Sequence, residues 1–172
     1  MTCSRDPSTK FIADHNVGKL ARWLRMMGLD TILFTGGDDS EMVALALAEG
    51  RTIRTRDTEI LKRRLVTSGR LKALLVESEV PEDQVRQVAR AAGLAGRVCA
   101  FTLCLECNRP LVRRTREDVK DLVPPYVFRT QEGYMQCPNC RRVYWQGTHW
   151  EAMARRLEKL LADISLDRNP GY

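Results

Sequence analysis

No stretch of the sequence is apolar over the ~20 residues needed to cross a bilayer. The start, Met1-Thr2-Cys3-Ser4-Arg5-Asp6-Pro7, lacks the apolar core of a secretory signal. A cytosolic protein with no membrane partner is therefore expected. Histidine is almost absent, with two in 172 residues. Neither His15 nor His149 has a serine or cysteine nucleophile signature beside it, which leaves a hydrolytic triad without support. There is no internal repeat and no low-complexity tract.

Six cysteines stand against these absences, four of them as two pairs: Cys104-Leu105-Glu106-Cys107 and Cys137-Pro138-Asn139-Cys140. In a reducing compartment such pairs read as metal ligands, not disulfides. Each CxxC knuckle offers one edge of a tetrahedron, and two complete a structural Zn2+ site. A closed four-thiolate shell leaves no position for water or substrate, so the zinc ribbon is expected to support a small fold and any reaction to lie elsewhere. Cys3 and Cys99 have no paired spacing; Cys3 reads as a tail residue and Cys99 as a small buried apolar side chain.

The length accommodates a domain of about 100 residues plus a small appendage that a metal helps to fold. The boundary is placed at residue 98, giving domains 10–98 and 99–164. Formal charge is +6, from 28 basic and 22 acidic residues, and both domains are mildly basic. That balance favours a polyanionic partner without requiring one.

Residues 10–92 alternate short β-like runs with helical patterns, as parallel strands joined by crossover helices do. Strands are expected at 11–13, 31–34, 52–55 and 73–76. Asn16 is expected to cap a helix ending at Gly28, with Leu20, Trp23, Leu24 and Met27 on its apolar face. Further helices are expected over 40–49, through Ile60, Leu61 and Leu65, and from Pro81 to Gly93. In the second domain Leu111-Val112, Tyr126-Val127-Phe128 and Val143-Tyr144-Trp145 read as ribbon strands, with a hairpin turn at Glu132-Gly133. A final helix is expected from about Trp150 to Ala162, and a frayed tail over 165–172.

Ligands of parallel α/β sheets gather at the carboxyl ends of the strands. Acids sit there after three of the four expected strands: Asp14, the pair Asp38 and Asp39, and Asp57. Carboxylates converging on one cleft call for a hard cation, Mg2+ or Mn2+, which engages phosphate oxygens and activates water. The Asp38-Asp39 pair and Asp57 also have a structural reading as helix caps, and Asp38 with Glu41 forms a capping box, whereas Asp14 is harder to explain as a cap because Asn16 is better placed for that job. Lys19, Arg22 and Arg25 lie off the apolar face of the first helix, and Arg54 and Arg56 flank the end of the third strand, positions suited to an RNA backbone. They would equally suit an ordinary solvated helix face.

The run Phe11-Ile12-Ala13-Asp14 leading into Gly18-Lys19-Leu20-Ala21-Arg22-Trp23-Leu24-Arg25-Met26-Met27-Gly28, with Thr55-Arg56-Asp57 downstream, resembles the Mut7-C RNase domain family. The resemblance continues through Cys104-Leu105-Glu106-Cys107-Asn108, the second CxxC and Val143-Tyr144-Trp145-Gln146-Gly147-Thr148-His149, about residues 10–155. It implies a PIN-like nuclease fold joined to a C-terminal zinc ribbon. It further implies a metal-dependent RNase whose acids are Asp14, one or both of Asp38 and Asp39, and Asp57. The rival readings are a non-catalytic RNA-binding or ribosome-associated module and an adaptor whose ribbon packs on a protein partner.

Overall fold

The computed structural model describes residues 9–94 and 98–166. Cys3, residues 95–97 beside the expected domain boundary and the tail from residue 167 lie outside them. Four parallel strands, β1 (Lys10–Asp14), β2 (Asp30–Phe34), β3 (Thr52–Thr55) and β4 (Ala73–Leu75), form a sheet in the order β2-β1-β3-β4. The helices between them are α1 (Gly18–Met26), α2 (Asp39–Glu49), the short α3 (Thr58–Lys62) and α4 (Arg64–Thr67), and, after β4, α5 (Pro81–Ala92). The single helix expected through Leu65 is two pieces because Arg63 takes an extended conformation, φ −63° and ψ 138°, between them.

Strand alternation sends Phe11 and Ala13 to one face of the sheet and Ile12 and Ile53 to the other. The first face is covered by α1 and α5 through Leu20, Leu24, Val85 and Val88. The second is covered by Met42, Val43 and Ala46 of α2 and by Ile60 of α3. Gly28 closes α1 with φ 81°, and the chain at Cys99 runs so near that an added Cβ would collide with the Cys99 carbonyl oxygen. Cys99 itself is buried, as expected, but it is disulfide-bonded and not the free apolar side chain its lack of paired spacing suggests.

A second, antiparallel sheet joins β5 (Val112–Arg114), β6 (Tyr134–Gln136) and β7 (Val143–Trp145) in that order. Tyr126-Val127-Phe128, expected as a strand, instead lies in helix α6 (Pro125–Thr130). Pro124-Pro125 explains the correction, since proline at the first helical position starts a helix and cannot donate to a ladder. Buried Tyr134 holds α6 in place: its hydroxyl reaches the carbonyls of Val127 and Gln131 at 3.1 and 2.9 Å.

The last helix, α7 (Thr148–Leu166), extends beyond both expected ends. Its apolar face does not join the ribbon core: Leu157, Leu160 and Ile164 are buried in the cluster formed by α1, α5 and β1. Arg86 to Asp163 at 2.9 Å and an Arg156–Glu82 ion pair fasten α7 to α5.

Candidate functional site

The two cysteine pairs are built alike. In the first, the Asn108 N–H donates to the Cys104 carbonyl and the Cys104 N–H to the Arg109 carbonyl. In the second, the Arg141 and Cys137 N–H groups do the same with Cys137 and Arg142. The residue after each pair, Asn108 at φ 58° and Arg141 at φ 61°, takes the left-handed conformation that turns the knuckle. All four sulfurs lie within 4.8 Å of one another. Sulfurs ~2.3 Å from a tetrahedral zinc would be ~3.8 Å apart, and Cys104 Sγ is 3.7 Å from Cys140 Sγ. The donor set and its spacing fit zinc.

The local electrostatics also call for a cation. Burial disfavours the Cys104 thiolate, but the Tyr144 hydroxyl 3.2 Å away and nearby backbone N–H groups outweigh it and bring the thiol down to about 7. At Cys140 the Arg142 N–H favours the thiolate, yet burial and the other three cysteines push the group up to about 12. Four thiols this close cannot all ionise without a positive charge among them.

The knuckle is stitched to the parallel sheet. Arg25 is 6 % exposed. Its Nη1 donates to the carbonyls of Leu105 and Glu106 at 2.8 and 2.9 Å, and its Nε to the Thr31 carbonyl at 2.8 Å. Asn108 donates to Asp30 at 2.6 Å and accepts from the Thr31 N–H at 2.9 Å. Asp30 in turn binds Arg51, 2.7 Å away. The sequence pattern places Arg25 among the RNA-facing residues; in the structure its guanidinium is instead consumed by the Thr31, Leu105 and Glu106 carbonyls. Lys19 is exposed. Arg22 is exposed and 3.3 Å from Glu106, and Arg56 donates to Glu79 at 3.0 Å.

The acids occupy the carboxyl edge of the sheet in unequal ways. Asp14 ends β1, one of the two inner strands, opposite Phe34 of β2 on one side and within hydrogen-bond reach of Thr55 of β3 on the other. The strand order reverses between β1 and β3, which is where ligands of such sheets settle. Asp14 is 7 % exposed. Its Oδ2 accepts from Asn16 Nδ2 and Thr55 Oγ1, both at 3.1 Å, and its Oδ1 lies 2.6 Å from His15 Nδ1. Asn16 therefore does not cap a helix: residues His15–Val17 form a 3₁₀ turn before α1, and the amide binds Asp14 instead.

Asp38 is the N-cap of α2, accepting from the Ser40 and Glu41 N–H groups at 2.7 and 3.0 Å, and these bonds hold its carboxyl below the usual range. Asp39 lies 3.6 Å from Arg63. Asp57 caps α3 by accepting from the Glu59 N–H at 2.8 Å. Its own N–H donates to Thr55 Oγ1 at 2.9 Å. One hydroxyl thus connects Asp57 to Asp14. Among the described residues the four cysteines are the one group of three or more His, Cys, Asp or Glu side chains with ligand atoms within 4.8 Å of each other. The acids do not form a three-carboxylate cage.

The family model of the Mut7-C RNAse domain matches residues 9–157. The chain belongs to this family. No curated protein and no solved structure matches it. The family is of nuclease type, and the four cysteines supply the second feature of the resemblance, a site able to bind zinc. Among the described residues no helix is long and apolar enough to cross a membrane.

Proposed function

We propose that the protein is a cytosolic ribonuclease that hydrolyses RNA phosphodiester bonds with Mg2+ or Mn2+ at the carboxyl edge of the parallel sheet. The observation that carries this reading is Asp14: a nearly buried carboxylate on an inner strand, at the strand-order reversal, joined through Thr55 to Asp57. The oxygen donors fit a hard cation that keeps most of its waters and takes one or two carboxylates directly. When bound there, such an ion supplies a more acidic water and charge stabilisation at the phosphate.

Asp14 is the direct ligand in this reading, with Asp57, Asp39 and Asp38 acting across the cleft. Thr55 and Asn16 orient the Asp14 carboxylate, and His15, largely exposed, can swing away to free Oδ1. Lys19, Arg22 and Arg56 place the RNA backbone, with the zinc ribbon contributing to RNA binding. One observation favours a second reading, a non-catalytic RNA-binding module: Asp38 and Asp57 are already satisfied as helix caps.

Asp14→Asn and Asp57→Asn separate the two, because asparagine keeps an acceptor oxygen and remains a good cap. Each should lower Mn2+-dependent RNA cleavage by roughly 100-fold or more at nearly unchanged melting temperature. Purified protein that binds RNA but leaves it intact in both metals, with both variants binding equally well, would establish the module.

A further inference from the structure

A cavity of about 620 Å³ opens at the opposite, amino-terminal ends of the strands, where Lys10, Thr52 and Lys72 reach its wall. Its size is that of a small-molecule site. Val66, Leu71 and Leu74 supply an apolar side, and Arg54 of β3 lines it from within.

Three arginines are buried in the described structure. Two are compensated: Arg25 by three carbonyls, and Arg51 by Asp30 and Glu49. Arg54, the most buried at 3 % exposure, is not. Its Nη1 makes a long 3.3 Å bond to the Ile53 carbonyl, its guanidinium lies 4.5 Å over the Phe11 ring, and its Nε has no partner. Among the described residues no carboxylate pairs with it, and the cavity wall contains no acid. Burial pulls its pKa down to about 10, so it remains cationic at neutral pH. Lys72, exposed at the rim, has no ion pair among the described residues. An unpaired buried charge is costly unless a counter-charge arrives, and a planar guanidinium takes two phosphate oxygens at once.

We propose that this cavity binds a small phosphomonoester, with the phosphate on Arg54 and Lys72 and the organic body against Leu71 and Leu74. The site is separate from the acidic edge. Thr52 lines the cavity and Thr55 touches Asp14, three residues and ~10 Å apart along β3. The proposal does not depend on the nuclease reading.

Calorimetric titration of the full chain with adenosine 5′-monophosphate, adenosine and inorganic phosphate tests it without any cleavage assay. The monophosphate should saturate one site, with adenosine and phosphate each at least tenfold weaker. Arg54→Met, which keeps the stem and removes the charge, should weaken the monophosphate at least tenfold, and Lys72→Ala severalfold. Asp14→Asn should leave its affinity within about twofold, since that residue lies at the other end of the strands. Should Arg54→Met fail to fold, the exposed Lys72→Ala still decides. The proposal is overturned if the monophosphate does not saturate by about 10 mM, if adenosine or phosphate alone binds as tightly, if the folded charge-removing variants bind like the parent, or if Asp14→Asn abolishes binding.

Discussion

Arg25 offers the sharpest separation between a side chain that meets RNA and one that holds the molecule together. In Arg25→Met the unbranched stem still fills its channel, while three donors to the Thr31, Leu105 and Glu106 carbonyls disappear. Hydrogen bonds to a charged group contribute about 1.5–3 kcal/mol each, so the gross loss is about 5 kcal/mol at the lower figure. Removing the guanidinium also relieves its burial, which already lowers the Arg25 pKa, and this returns about 1–2 kcal/mol. A net destabilisation of about 3 kcal/mol remains, or about 6–12 °C in Tm for a chain of this size. Zinc should also be held less tightly, because Arg25 sits in the field of Cys104 and Cys107 and two of its acceptors belong to their knuckle. Thermal melts followed by circular dichroism, with zinc measured on the same samples, read both effects. An Arg25→Met protein with parental Tm and zinc but weakened RNA binding would refute this reasoning and return Arg25 to the RNA surface.

Zinc analysis should find about one ion per chain, and Tyr144→Phe, which removes the hydroxyl beside Cys104 Sγ, should weaken zinc by about 10–100-fold in a chelator competition. Burial works against the Asp30 carboxylate, but hydrogen bonds from Arg51 and Asn108 outweigh it and depress its pKa. Its stabilising contribution is therefore complete above the unfolded value of about 3.9 and is lost as pH falls through the lower native value; Asp30→Asn should flatten that acid limb in pH-dependent melts. Lys19→Ala and Arg22→Ala should weaken RNA binding without changing Tm, each reducing the salt slope by about 0.7 on single strands; an unchanged slope removes that residue from the interface.

The parallel half of the fold was legible because β-branched and apolar triplets alternate with helical stripes punctuated by Gly28, Gly50 and Gly93. The cysteine knuckles were legible because the coordination that four thiolates offer fixes their spacing. Residues 124–136 were not. An apolar triplet fits a strand or one helical turn equally, and the proline pair before it decided for the helix. Tyr134-Met135-Gln136 carries too little periodicity to mark β6. Arg25 misled because a helical wheel assigns a charge to solvent by default, whereas here another part of the chain brings carbonyls to meet it. The destination of α7 is a long-range choice. Its stripe of Leu157, Leu160 and Ile164 declares that something is covered, but not that the cover is α1 and α5.

The same distinction between local and long-range information governs the acids. Caps satisfy Asp38 and Asp57 within three residues of sequence, so their presence after strands is accounted for by helix initiation alone. Asp14 is different. Its N-cap position on the 3₁₀ turn carries no side-chain capping bond, and the donors around it are a hydroxyl from the neighbouring strand, an amide and a histidine. Removing a carboxylate from water this completely is costly unless donors or a cation compensate it. Helix initiation gives no reason for an acid here, since an asparagine would keep the Thr55 contact without a charge to desolvate. The functional reading therefore gains little from counting aspartates along the edge and depends chiefly on the one whose charge the fold does not otherwise need.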